Sequence, residues 1–175
     1  MTDRRGAAVT DVRVEDLAFY EGDAIIRPAT AMLDATTPLL RRLDLAGGAR
    51  LLDALRVSDP LPVGSAVVTA AGDLPVSLLV HAIVSSATER VTREGVRRAF
   101  RSALERASAW QLARVAIPPI GLGAGNLDLD TSAELMADEL TRHQRAAAFP
   151  SHVTLVAETE EEAAVLDFAI SRWAA

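Results

Sequence analysis

Apolar and polar positions along the chain switch repeatedly between the two-residue alternation of a strand and the wider spacing of a helix. Val12-Arg13-Val14-Glu15-Asp16-Leu17 alternates at its start and predicts a strand with one face exposed. Asp23 to Arg27 is a second β-rich run, which Pro28 is expected to stop because proline cannot donate to a ladder. Thr37 to Leu55 has helical spacing broken by Gly47-Gly48, so two short helices with a turn between them are expected. Asp59 to Gly64, with two prolines and a glycine, is a loop. Ser65 to Ala70 is the next strand, residues 71–75 form a turn, and Val76 to Val84 is a largely buried strand because its apolar residues run with little alternation.

Thr92 to Trp110 carries the clearest helical pattern, with Val96, Phe100, Ala103, Leu104 and Ala107 on one face. Arg114 to Ile117 reads as a short central strand, followed by a glycine-rich loop from Pro118 to Asp130. Thr131-Ser132-Ala133-Glu134 and Thr159-Glu160-Glu161-Glu162 are capping boxes, each placing Thr at the helix start and Glu three residues on. Those helices extend to about His143 and Trp173, with a strand from His152 to Ala157 between them. The order β-β-α-β-β-α-β-α-β-α implies a single domain over residues 11–175, behind a loose tail over residues 1–10. Strands alternating with helices make a sheet covered on both faces, mostly parallel with some antiparallel pairing. Ligands of such sheets bind beyond the carboxyl ends of the strands.

Composition narrows the chemistry. A chain of 175 residues suits one domain able to bury its core without a disulfide or metal staple. It has no Cys, which excludes thiolate catalysis and Cys-ligated metals. All 18 basic residues are Arg, which excludes a Walker A lysine, a Schiff base and a lysine general base. A net charge of -6, with Arg scattered among Asp and Glu, argues against a nucleic-acid partner. The polar start Met1 to Gly6 does not lead into a signal-peptide core. The longest mainly apolar run, Leu74 to Val84, is shorter than the ~20 residues needed to span a bilayer. A cytoplasmic protein with no membrane partner is therefore expected. The chain has a single Asn, Asn126.

That Asn lies in the most informative stretch, Val115-Ala116-Ile117-Pro118-Pro119-Ile120-Gly121-Leu122-Gly123-Ala124-Gly125-Asn126. A buried strand leads into three alternate glycines with a helix behind them. Such glycines let backbone N–H groups approach an anion, and the helix dipole adds to the field. The Rossmann fingerprint is not met, since Asn126 stands at its third glycine. The plainer alternative is a strand-to-helix loop that needs glycine to turn. Asp16, at the end of the first strand, can accept a hydrogen bond from an exocyclic amine such as that of adenine, or can serve only as a turn residue. His81 lies inside an apolar run and reads as a satisfied core histidine; His143 and His152 form no metal-spaced pair with it or with each other. No metal or cofactor is expected. Ser77, Ser85 and Ser86 lack a G-x-S-x-G setting, so a serine hydrolase has no support. Glu160 to Glu162 suit the first turn of a helix.

Together these segments resemble the macro domain, the ADP-ribose-binding module, from about Val12 to Ile170. Val14-Glu15-Asp16-Leu17 stands where that family has Gly-Asp-Ile. Asp23-Ala24-Ile25-Ile26-Arg27-Pro28-Ala29-Thr30 stands at its Asp-Ala-Ile-Val-Asn-Ala-Ala-Asn. Pro62 to Thr69, then Leu74 and Val80-His81, are similar to its Gly-x-Ala-x-x-Thr strand, turn and Ile-His strand. Ile117 to Gly125 resembles its phosphate-binding loop.

The resemblance implies a three-layer α/β/α sandwich around a mixed, mostly parallel sheet. It implies that Asp16 holds the adenine amine, that Leu17 packs near the ring, and that the backbone of Gly121, Leu122, Gly123, Ala124 and Gly125 cradles a diphosphate. Thr30 falls at the Asn beside the distal ribose, and Asn126 at a position that is usually glycine. No Gly-Gly-Gly run follows Thr30; Ala31 to Pro38 takes its place, and Gly125 stands at the family's loop aromatic. Arg27 is placed either to supply charge to a phosphate or to point into solvent. The expectation that follows is a binder of ADP-ribose or a related nucleotide diphosphate that lacks the standard hydrolase residues. A degenerate macro fold serving protein interaction or assembly ranks second. An atypical ADP-ribosyl or O-acetyl-ADP-ribose hydrolase, with Thr30, Asp34 or Asp128 positioning water, ranks third.

Overall fold

A computed structural model describes residues 7–174. Its strands are β1 (Val9–Val14), β2 (Ala24–Thr30), β3 (Ala66–Ala70), β4 (Leu78–Ser85), β5 (Arg114–Ile117) and β6 (His152–Ala157). They form one sheet in the order β1-β6-β5-β2-β4-β3, parallel throughout except for β3, which pairs antiparallel with β4. The helices are α1 (Pro38–Ala46), α2 (Gly48–Ala54), α3 (Arg93–Ala109), α4 (Leu129–Ala146) and α5 (Glu160–Ala174), with a single 3-10 turn at Leu17–Phe19.

Side chains alternate across the sheet, so neighbours in one strand serve different layers. Ile25 faces α1 and α2, in a core with Leu17, Leu40, Leu43, Leu51 and Leu79. Ile26 faces α3, α4 and α5, in a core with Val80, Phe100, Leu104, Met136 and Leu166. Every α3 position expected in the core is fully buried there. The result is the expected α/β/α sandwich, with a mixed sheet as its middle layer.

Four local expectations are corrected. β1 starts at Val9 and ends at Val14, because its register with His152–Ala157 of β6 sets its limits. Val9 and Thr10 therefore belong to the sheet and Leu17 to the turn after it; residues 1–6 of the expected tail lie outside the described residues. Pro28 does not stop β2, which runs on to Thr30. Its pairing with β5 ends at Ile25, so beyond that point one side of β2 has no ladder for a proline to break. β4 begins at Leu78, because the N–H groups of Ser77 and Leu78 turn to the Asp23 carbonyl first. Helix α4 begins at Leu129 and is capped by Asp128, whose carboxylate accepts the Thr131 N–H at 2.8 Å. The Thr159 cap is as expected, with its hydroxyl accepting the Glu162 N–H at 3.1 Å.

Candidate functional site

Because β2, β4, β5, β6 and β1 run parallel, their carboxyl ends share one rim. The segments after β1, β2, β4 and β5 all emerge there. Asp16 is exposed just after β1. One of its carboxylate oxygens caps the 3-10 turn by accepting the Ala18 N–H at 2.9 Å, and the other has no partner among the described residues. Leu17 beside it is wholly buried among Ile25, Leu40 and Leu43.

The glycine loop after β5 needs its glycines for geometry. Gly121, Gly123 and Gly125 all have positive φ, of 89°, 136° and 76°. A Cβ on Gly121 would lie 2.8 Å from the Val96 side chain, and one on Gly123 would lie 2.8 Å from Asn126 Nδ2 and 3.3 Å from the Thr36 carbonyl oxygen. A Cβ on Gly125 would meet nothing within 4 Å. Among the described residues, no acceptor takes the N–H of Gly121, Leu122, Gly123, Ala124 or Gly125. The loop is closed instead by the bonds of Asn126 N–H to the Gly123 carbonyl and Leu127 N–H to the Gly121 carbonyl, both 3.0 Å. Ser132 on α4 anchors its start, donating its buried hydroxyl to the Ile120 carbonyl at 2.6 Å. Asn126 folds back over its own loop, with Nδ2 3.4 Å from the Leu122 carbonyl oxygen.

Thr30 ends β2 opposite Ser85 of β4. Its hydroxyl accepts the Asp34 N–H at 3.1 Å and the Met32 N–H at 3.4 Å, so it shapes the loop that follows. Asp128 is likewise engaged as a cap, and the Thr131 backbone N–H holds its carboxyl below the usual value.

Arg27 neither faces solvent nor reaches the rim, contrary to both placements expected for it. It is fully buried on the α1 side of the sheet. Its guanidinium donates to Asp44 Oδ1 at 2.6 Å, to His81 Nδ1 at 3.0 Å and to the Leu33 carbonyl at 2.8 Å. His81 is, as expected, a satisfied core histidine, completed by the Thr69 hydroxyl at 2.8 Å. Burial pushes the Asp44 carboxyl up against the pull of Arg27. No local signal marks Arg27 as internal, since arginine in a strand is usually a surface residue. Ser132 was legible only as part of a capping box and Thr36 not at all; both turn out to touch the glycine loop.

The site is thus a rim at the carboxyl ends of parallel strands that offers main-chain N–H groups unpaired among the described residues, the second carboxylate oxygen of Asp16 and the hydroxyl of Thr30. Among the described residues, no three His, Cys, Asp or Glu side chains gather as a metal site, and no helix is long and apolar enough to cross a membrane.

The family model described as Macro domain matches residues 39–136, more than half of the chain. The chain belongs to the macro domain family. A similar protein of Aeropyrum pernix, described only as uncharacterized, is 30% identical over 159 residues, which cover 89% of this chain and 82% of that one. An O-acetyl-ADP-ribose deacetylase of Klebsiella pneumoniae is 27% identical, over 91% of this chain and 94% of its own. A macrodomain of Oceanobacillus iheyensis solved with ADP has a TM-score of 0.84 at 18% identity, over 98% of this chain and 95% of its own, a likeness of fold.

Proposed function

We propose that this chain binds ADP-ribose or a closely related nucleotide diphosphate along the rim of its sheet. The free carboxylate oxygen of Asp16 would accept the adenine amine. The N–H groups of residues 121–125 would cradle the diphosphate, and Thr30 would border the distal ribose. The unpaired N–H groups of the glycine loop carry this reading. Successive main-chain donors in one glycine-rich turn can bind a single anion together. The ADP bound to the Oceanobacillus iheyensis macrodomain supports the ligand class.

The deacetylase name of the Klebsiella pneumoniae relative raises hydrolysis as a second reading. Of Thr30, Asp34 and Asp128, the Thr30 hydroxyl accepts two loop N–H groups and one Asp128 oxygen caps α4, while the Asp34 carboxylate has no partner among the described residues. Binding without turnover is the reading favoured, because Thr30 stands where the resemblance implies an Asn beside the distal ribose and no Gly-Gly-Gly run follows it.

Isothermal titration with ADP-ribose tests it, and absence of heat at high micromolar ligand would sink it. Incubation with O-acetyl-ADP-ribose is expected to release no acetate; catalytic release would establish the hydrolase instead.

A further inference from the structure

Position 27 is the first Asn of the family pattern Asp-Ala-Ile-Val-Asn-Ala-Ala-Asn, and here it is Arg. Its fork joins three separate elements: Asp44 on α1, His81 on β4 and the carbonyl of Leu33 in the loop after β2. The last contact has a special setting. Leu33 has a φ of 63°, in the left-handed region that a leucine rarely adopts, so its surroundings must hold it there. The Thr30 carbonyl accepts the Leu33 N–H at 2.8 Å, the Thr30 hydroxyl accepts the Asp34 N–H at 3.1 Å, and Arg27 takes the Leu33 carbonyl. Farther along the same loop, the Thr36 carbonyl oxygen lies 3.3 Å from the point where a Cβ on Gly123 would stand. The segment Thr30–Thr36 is thus a strap that starts at the distal end of the rim and is tied down at Leu33 by a buried arginine.

We propose that Arg27 is a positioning residue for the distal end of the cleft. By holding Leu33 it fixes the turn that Thr30 opens at the distal-ribose end, and so sets the preference for ADP-ribose over ADP, which lacks the distal ribose. The inference rests on the ligand class proposed above. Arg27 itself contacts no ligand. Lysine cannot substitute, because one ammonium on a flexible stem does not reproduce a planar fork shared among three acceptors.

Two variants test this. Arg27→Lys keeps the charge beside Asp44. Arg27→Met/Asp44→Leu removes the buried pair as a unit, an exchange that proteins often tolerate without loss of stability. For each, thermal unfolding checks the fold, titration gives affinity for ADP-ribose and for ADP, and hydrogen exchange reads the amides of Leu33 and Asp34. In a folded variant, ADP-ribose affinity should fall about tenfold, the scale of one well-made hydrogen bond, while ADP affinity holds. Exchange at Leu33 and Asp34 should quicken by a similar factor. Equal loss for both nucleotides, unchanged ADP-ribose affinity, or unchanged exchange would each overturn the proposal. If the wild-type chain binds neither nucleotide, the ligand reading fails and the selectivity role with it, while the exchange data still decide whether Arg27 holds the strap.

Discussion

His81 accepts the Nε hydrogen of Arg27 on Nδ1 at 3.0 Å, while its Nε2 lies 2.8 Å from the Thr69 hydroxyl. An acceptor at Nδ1 fixes the imidazole as the neutral tautomer with its hydrogen on Nε2. The Thr69 hydroxyl then donates onward to the Ala70 carbonyl at 3.1 Å. Burial, reinforced by the adjacent guanidinium, holds the His81 pKa well below the ordinary 6.5.

A pH dependence of stability follows. The unfolded chain takes up a proton at His81 near pH 6.5 and the folded chain does not. The stability contributed by neutral His81 is therefore present in full above pH 6.5 and is lost as pH falls from there toward the folded pKa. The slope approaches about 1.4 kcal/mol per pH unit. Asp44, raised by burial, acts in the opposite sense just above the ordinary carboxylate value. Urea unfolding between pH 5 and 7.5 should show the His81 slope in the wild type and lack it in His81→Gln; a slope that survives the substitution assigns it elsewhere.

In the proposed binding mode Asp16 has two separable roles, one for each carboxylate oxygen. Asp16→Ala should weaken ADP-ribose binding by about 1–3 kcal/mol through loss of a charged acceptor, and destabilise the turn by about 1 kcal/mol through loss of the cap. Asp16→Asn keeps a good cap and should spare stability while still weakening binding. Titration and thermal unfolding of both variants read these effects apart, and an unchanged dissociation constant in both removes Asp16 from the adenine site.

The three glycines of the loop should respond differently. Gly121→Ala pushes into Val96 in the core and should destabilise the fold most. Gly123→Val places bulk between Asn126 and Thr36, where a diphosphate would lie, and should abolish binding of ADP-ribose. Gly125→Ala has open space around its Cβ and should cost only the strain of positive φ, about 1 kcal/mol. Comparable affinity in the Gly123 and Gly125 variants would refute the placement of the diphosphate.

Ser132→Ala leaves the buried Ile120 carbonyl without its hydroxyl donor. A loss of about 1–3 kcal/mol in unfolding free energy is expected, with faster hydrogen exchange in residues 121–127 and weaker ADP-ribose binding. Exchange that stays at the wild-type rate would show that the loop does not depend on this anchor.

Much of the fold was legible because its signals are local. The period of α3, the Gly47-Gly48 break, the Thr159 cap and the glycine loop depend on residues a few positions apart. The limits of β1 and β2 were not legible, because they depend on β6 and β5, which lie far along the chain. The site was legible in part. Asp16, Thr30 and residues 121–126 lie at one rim of the sheet, but the bonds they make were hidden.

The sequence by itself determined the alternation of strands and helices, the positions that demand glycine, and the exclusion of lysine and cysteine chemistry. These follow from residue type and short-range spacing alone. Only the tertiary structure decided that Arg27 is internal, that the lone Asn126 braces its own loop, and that Thr36 meets Gly123. Each of these depends on which strands and loops become neighbours, and a buried charge is tolerated only where folding brings Asp44, His81 and the Leu33 carbonyl to meet it.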